Sequence, residues 1–303
     1  MEKNFSKIKT VENIIIKTSY TNIANGELKS NFGDLLRTSL LPNCLNSDFL
    51  WLTDARSIDL LKYFVDVQKI RVLDRVVPME DVLSARHVYN LDNYFYNGNL
   101  LEHITGHWHG YVWNGERLIP ENEMIAAAAS YAQISDQRSM QELIVRGLGL
   151  EWDEQDYPQS RLLVKETIDI GFNWHVDPKW IAKTWPEAYW EELEKILHQR
   201  YTVSWQKGIH HFDEYIHWLS ACKVIVTCET LGLHLASALR KKVIAIVGPM
   251  KTNEYTYGRI EMIKPSSRDC MPCESPECKM GNSCLGEITP ERVSEAIKKL
   301  MPN

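Results

Sequence analysis

Short β-branched runs alternate with segments of helical spacing along this 303-residue chain, and that alternation restricts the fold more than any other feature. Val11–Lys17 reads as a buried strand, followed by a polar stretch, Thr18–Asn31, that contains Gly26. In the run Asn31–Pro42, apolar residues at 35, 36, 40 and 41 suit one face of a short helix beginning near Gly33 and Asp34. Phe49–Leu52 reads as a strand, Ser57–Phe64 as a helix and Lys69–Leu73 as a strand. The pattern resumes near Leu162. Strands are expected at Ile168–Trp174, Tyr201–Trp205, Lys223–Cys228 and Val243–Val247. Helices are expected at Pro186–His198, Phe212–Ala221, Leu233–Leu239 and Pro290–Leu300, the last with Thr289 as N-cap. Strands alternating with helices mean βαβ units and a mainly parallel sheet. The polar run Glu151–Arg161, with Pro158, marks a boundary between two domains, residues 1–155 and 156–303.

Composition narrows the class. Hydrophobic residues make up 44% and charged residues 24%, enough apolar material for a core. The net charge of −6 argues against a nucleic-acid binder, which leans on an excess of Lys and Arg. No apolar run approaches the roughly 20 residues of a membrane span, and the first residues lack the apolar core of a secretory signal. A cytoplasmic location is therefore expected, and the seven cysteines suit thiols or metal ligands better than disulfides.

Between Tyr89 and Tyr131 the chain reads as irregular and aromatic-rich, holding Tyr94, Phe95, Tyr96, Trp108, Tyr111 and Trp113 with His103, His107 and His109. This segment is either a cleft wall or a local mini-core. His107 and His109 do not share a helical face, so the spacing does not favour a metal site.

Four blocks can carry chemistry. The run Val224–Leu239 passes from a buried strand through a short polar turn into a helix. Such a turn aims the helix N-terminus, with its unpaired N–H groups, at the C-terminal end of the sheet. Glu229 can accept from a ribose and Thr230 can donate to a phosphate there; otherwise one of them is an ordinary cap. Lys183 stands in the loop before the helix that starts at Pro186, where it either neutralises a diphosphate or is merely solvated. Asp34, after Gly33 at the first strand–helix junction, is either a general base or the helix N-cap. Cys270, Cys273, Cys278 and Cys284 form a C-x2-C-x4-C-x5-C array in the segment 269–285. Four thiolates suit tetrahedral Zn or a single Fe, with free thiols or disulfides as the alternatives. Cys44, Cys222 and Cys228 read as small buried hydrophobes.

Taken together, these blocks resemble glycosyltransferase family 9, the ADP-heptose:lipopolysaccharide heptosyltransferases and their relatives. The motifs that carry the resemblance run in order along nearly the whole chain. They are Gly33–Pro42, Lys183–Leu193 with its Lys-Thr-Trp-Pro start, Glu229–Leu235, Val247–Pro249, Cys270–Cys273 and Ile288–Glu291. Two departures stand out. The motif's Asp is Glu229 here, and Leu231 stands where Gly is usual, with Gly232 following.

The resemblance implies a GT-B fold, two Rossmann-like doubly wound domains facing across a cleft, with a small cysteine-rich loop near the C-terminus. It implies an inverting glycosyltransferase with no catalytic metal. The first domain would bind the acceptor, and the second a nucleoside-diphosphate sugar, ADP-heptose foremost. Asp34 matches the base that deprotonates the acceptor hydroxyl, and Lys183 the lysine that stabilises the leaving diphosphate. Glu229, Thr230, Leu231, Gly232 and His234 match the nucleotide site, although His234 equally suits a packing role. Related autotransporter heptosyltransferases bind iron through a cysteine finger, which implies a structural Zn or Fe at Cys270, Cys273, Cys278 and Cys284. The acceptor would be a saccharide, a protein side chain or a small molecule, and neither nucleic acid nor a transmembrane segment is implied. The rival readings are another nucleotide-sugar enzyme of the same fold, such as an epimerase, and a non-catalytic sugar-binding or scaffold protein.

Overall fold

The computed structural model describes residues 8–22, 28–73, 82–94, 103–131, 138–208, 211–253, 257–266, 268–281 and 283–301. Gly26, Phe95 and Tyr96, named above, lie outside them. The chain divides into two compact units, Met1–Pro158 and Gln159–Asn303.

The first unit is built on a six-stranded sheet. Its strands are β1 (Ile8–Ile16), β4 (Phe49–Thr53), β5 (Ile70–Val72), β6 (Val82–Asn90), β7 (Ile104–Trp113) and β8 (Leu118–Pro120). A separate hairpin pairs β2 (Tyr20–Asn22) with β3 (Leu28–Ser30). The sheet order is β5-β4-β1-β6-β7-β8, and every pair is parallel except β7 with β8. Counted along the chain, the parallel strands run 3-2-1-4-5, the dinucleotide-fold order, with the reversal between β1 and β6. The apolar run Ile14, Ile15 and Ile16 is buried on both faces, as a central parallel strand requires. Ile14 and Ile16 meet Leu50, Leu52, Leu83, Val88 and Ile104 in one core. The helices are α1 (Phe32–Thr38), α2 (Leu41–Cys44), α3 (Ile58–Leu61), α4 (Glu123–Ala129) and α5 (Met140–Gly147).

One expectation fails in this unit. The stretch after Tyr89 is not irregular, because β7, β8 and α4 fall within it and β6 leads into it. Alternation in β6 is hidden by a bulge between Ser84 and His87, and in β7 by Gly106 and Gly110 on one face and His107 and His109 on the other.

The second unit carries a fully parallel sheet in the order β10-β9-β11-β12-β13. Its strands are β9 (Ile168–Asn173), β10 (Val203–Trp205), β11 (Cys222–Cys228), β12 (Lys242–Ile246) and β13 (Ile260–Ile263). This is the 2-1-3-4-5 order, with the reversal between β9 and β11. Its helices are α6 (Glu187–Leu197), α7 (Phe212–Ala221), α8 (Leu231–Ala238) and α9 (Pro290–Leu300). One face of the sheet, Ile170, Phe172, Val224, Val226, Ile244 and Ile246, packs on Trp190 and Leu193 of α6 and on Val293 and Ile297 of α9. Each fully buried Leu or Ile in that layer contributes about 1.5–3 kcal/mol of transfer free energy. Helices α7 and α8 lie against β11. The sheet is thus doubly wound, and the structure has the expected α/β class in both units. Thr289 occupies the α9 N-cap position, whereas Pro186 stands at the N-cap of α6 rather than inside it.

Candidate functional site

Ligands of open α/β sheets bind outside the carboxyl ends of the strands where the strand order reverses. Each unit has such a crevice, and the sequence-predicted residues fall around it.

In the first unit the reversal lies between β1 and β6. The chain leaving β1 is held there by two buried carboxylates. Asp92 forms an ion pair with Lys17 at 2.9 Å and accepts from the Thr18 backbone N–H at 3.0 Å. Burial raises the Asp92 pKa, against the opposing pull of Lys17 and Thr18. Asp54 accepts from the Ser19 backbone N–H at 2.6 Å and from the Ser57 hydroxyl at 2.6 Å. Lys17, Asp54 and Asp92 went unread in the sequence because nothing local distinguishes them from solvated charges.

Asp34 sits in the first turn of α1, where a carboxylate meets the positive end of the helix. It is not the N-cap. Asn31 fills that position, its side-chain oxygen accepting from the Asp34 backbone N–H at 3.1 Å. The Asn31 amide also donates to Asp34 Oδ2, and Arg37 Nη1 donates to Oδ1 at 2.7 Å. An ionised carboxylate has about four acceptor sites, so this one is oriented and can still take a further donor.

In the second unit the crevice between β9 and β11 is lined by a neutral network. Asn173, the last residue of β9, donates to Thr227 Oγ1 at 2.7 Å and to Thr230 Oγ1 at 2.9 Å. Its side-chain oxygen accepts from the Tyr215 hydroxyl at 2.7 Å. Thr230 caps α8, accepting from the Gly232 backbone N–H at 3.2 Å. With two donors aimed at its oxygen, Thr230 is itself a donor, and Thr227 Oγ1 stands 3.4 Å from it. Gly232 explains the displaced motif glycine. A Cβ there would lie 2.2 Å from Asn173 Nδ2 and 2.5 Å from the Tyr215 hydroxyl, so close packing demands glycine at 232 and leaves 231 to leucine. Glu229 is buried and its Oε2 accepts from the Gly248 backbone N–H at 3.2 Å. His234 is buried within α8. Asn173 and Tyr215 were missed by sequence reasoning. A polar residue closing an apolar strand was the available signal for Asn173.

Lys183 ends the 3-10 turn Pro178–Lys183, with its ammonium 4.4 Å from the Trp180 ring centre, a cation–π distance. Trp185 anchors this loop. Its indole donates to the Ile288 carbonyl at 2.8 Å, and its backbone N–H donates to the Cys228 sulfur. Burial pushes the Cys228 thiol up to about 12. Trp185 and Cys228 share one core, which sets the loop carrying Lys183 beside the end of β11. The Lys183 loop and the turn of Glu229, Thr230 and Gly232 thus flank one strand end.

The cysteine segment braces the same loops. Ala182 N–H donates to the Pro276 carbonyl at 2.9 Å, Glu274 N–H to the Pro249 carbonyl at 2.8 Å, and Lys251 N–H to Glu274 Oε1 at 2.8 Å. The four sulfurs suit a soft metal by type, but their placement does not make a ligand shell. Cys284 is buried, Cys273 is exposed, and all are thiols. Among the described residues, the group of three or more ligand atoms within 4.8 Å of one another is formed by His107, His109 and Glu121, not by the cysteines. Cys222 and Cys228 are buried as expected, whereas Cys44 is half-buried. Among the described residues no helix is long and apolar enough to cross a membrane.

Comparison with known proteins places this geometry. No family model matches the chain. Lipooligosaccharide heptosyltransferase 2 of Campylobacter jejuni serotype O:2 is 30% identical over 88 residues, 28% of this chain and 28% of that protein. The match thus spans little more than a quarter of the curated relative. The structure of E. coli ADP-heptose LPS heptosyltransferase II superposes with a TM-score of 0.60 at 18% identity, covering 95% of this chain and 98% of that one. The dodecameric iron-containing heptosyltransferase TibC, in complex with ADP-D-β-D-heptose, gives a TM-score of 0.59 at 14% identity over 97% of this chain and 77% of that one. The chain has the GT-B fold of the heptosyltransferases.

Proposed function

We propose that this protein is an inverting glycosyltransferase that moves heptose from ADP-heptose to the hydroxyl of an acceptor saccharide, protein side chain or small molecule. One observation carries the reading. The loop that carries Lys183, the buried Glu229 and the helix start capped by Thr230 flank the strand end where the second sheet reverses its order. That combination suits a nucleoside diphosphate, with N–H donors and an ammonium for the phosphates and a carboxylate for ribose hydroxyls.

In the proposed reaction the acceptor oxygen attacks the anomeric carbon from the face opposite the diphosphate. Its proton passes to the Asp34 carboxylate, which Asn31 and Arg37 orient. The bond from the anomeric carbon to the diphosphate oxygen breaks, and the diphosphate leaves with the electron pair. Lys183 and the Thr230 hydroxyl, at the positive end of α8, take up the charge that develops there. Residues 1–155 supply the acceptor side and residues 156–303 the donor side. His234 supports α8 from within rather than touching the nucleotide. A Zn or Fe ion at the cysteine segment would need Cys270, Cys273, Cys278 and Cys284 to close upon it, and it would add to folding rather than to the chemistry. A cytoplasmic setting accords with seven cysteines as thiols.

The test is transfer from ADP-heptose by the full chain and by Asp34→Ala. Loss of about 100- to 10,000-fold in rate, the usual worth of a general base, with nucleotide affinity unchanged, is the expected result. An unchanged rate in Asp34→Ala overturns the base assignment.

A further inference from the structure

His107 and His109 lie two residues apart on β7, and strand alternation projects both imidazoles from one face. In register, His87 of β6 lies opposite His107, and Tyr89 opposite His109. The β6 bulge decides which way His87 points. Ser84 pairs with Thr105 and His87 with His107, so three steps on β6 match two on β7. Without that extra residue, His87 would share the face of Leu83 and Ala85, which pack into the core. With it, His87 joins the histidine face, and its Nδ1 comes 3.1 Å from His109 Nε2. Bulges often re-aim a side chain in this way next to a functional site.

A carboxylate is brought to the same place by the hairpin. Glu121 follows β8, its backbone N–H donates to the Gly110 carbonyl at 2.7 Å, and its Oε2 accepts from the Gly110 N–H at 3.0 Å. Gly110 has φ +89°, and a Cβ there would meet the Asn90 carbonyl oxygen of β6 at 2.3 Å, so only glycine fits at this point of β7. As a result, one ligand atom from each of His107, His109 and Glu121 lies within 4.8 Å of the other two. His107 and Glu121 are exposed and His109 is half-buried, which leaves the cluster open to an ion from solvent.

We propose that His107, His109 and Glu121 form a binding site for a divalent transition-metal ion of the Zn²⁺ class, with His87 as a positioning residue that orients the His109 ring. Two imidazoles and one carboxylate match the donor preference of such ions, and three protein ligands leave further positions to water. The ion ties β7 to the β8–α4 connection, at residues distinct from Asp34, Lys183 and Glu229. The site was not legible from spacing read on a helix, because the period of two in a strand is what aligns His107 with His109.

The test uses the full chain without a polyhistidine tag, stripped with chelator and titrated with CoCl2 and ZnCl2 by calorimetry and absorption. Cobalt is expected to bind with ligand-field bands and without the sulfur-to-cobalt charge-transfer band that cysteine ligation would add. The His107→Ala/His109→Ala double variant is expected to lose that cobalt signal, and Glu121→Gln to weaken binding at least tenfold while keeping a hydrogen-bonding side chain at 121. His87→Ala is expected to weaken binding about 10- to 100-fold, as loss of an orienting partner does. Circular dichroism establishes that each variant is folded. A chain that binds neither ion, a double variant that keeps the same cobalt spectrum, or a spectrum showing only sulfur ligation would each overturn the site.

Discussion

The two units solve one problem in different ways. Each must hold the loop at the reversal of its parallel sheet, where carbonyls and N–H groups of the strand ends lack ladder partners. The first unit does so with charge. Lys17 and Asp92 pair in the interior, and Asp54 gathers the Ser19 and Ser57 donors. The second does so with neutral groups, Asn173, Thr227, Thr230 and Tyr215, with Glu229 and the loop of Lys183 flanking the end of β11. A crevice filled by its own ion pair is a fixed support, on which α1 and Asp34 are presented. A crevice lined by amide and hydroxyl groups, with an ammonium nearby, is suited to receive an anionic ligand.

The comparison can be broken most severely in the first unit. Asp92→Ala strands the Lys17 ammonium in the interior, and removing one partner of a buried pair costs about 3–5 kcal/mol. Urea unfolding of the full chain measures it. The double variant Lys17→Met/Asp92→Leu is expected to recover most of that loss, since a buried pair replaced whole by apolar groups is often neutral.

In the second unit the effects are smaller and act on the ligand as well. Gly232→Ala drives a methyl into Asn173 and Tyr215 and is expected to cost about 1–3 kcal/mol, the usual range for overpacking. The same melt with and without nucleotide should show weaker ligand stabilisation. Thr230→Ala removes the α8 cap and is expected to cost about 1 kcal/mol, with a matching loss of nucleotide affinity.

The smallest effect concerns acid stability. The Lys223 hydrogen bond, with further donors from Thr202, holds the Asp169 carboxyl below the usual carboxylate range. A depressed folded pKa contributes stability above the unfolded value, about 3.9, and loses it as pH falls through the folded value. Asp169→Asn should therefore lower the melting temperature slightly at neutral pH and flatten its decline below about pH 4, so that the two proteins converge in acid.

How far the fold was legible follows the same division. The second unit reads well at its central strands, since β11 and β12 are continuous, mostly buried apolar runs, whereas the half-buried edge strand β13 was missed. Phe212–Ala221 and Pro290–Leu300 are helices over the expected residues. The outer strands of the first sheet were missed. The bulge at Ser84–His87 breaks the alternation of β6, and Gly106 and Gly110 interrupt that of β7. Among candidate site residues, the strand–turn–helix block leads directly to Glu229, Thr230 and Gly232. Asn173 and Tyr215 are far away in sequence and join that block only through the parallel pairing of β9 with β11. The cysteine array was read from its spacing and from the resemblance, and neither carries information on how four sulfurs are aimed. The backbone bonds of that segment to Ala182 and Pro249 set its course instead.

The most direct test of the account is a calorimetric titration of the full chain with ADP, UDP, GDP and CDP, repeated on Lys183→Ala. Selective binding of ADP, weakened at least tenfold in the variant, is the predicted result. Binding of none of the four, or undiminished binding by Lys183→Ala, would contradict the assignment of the β11 strand end as a nucleotide-sugar site.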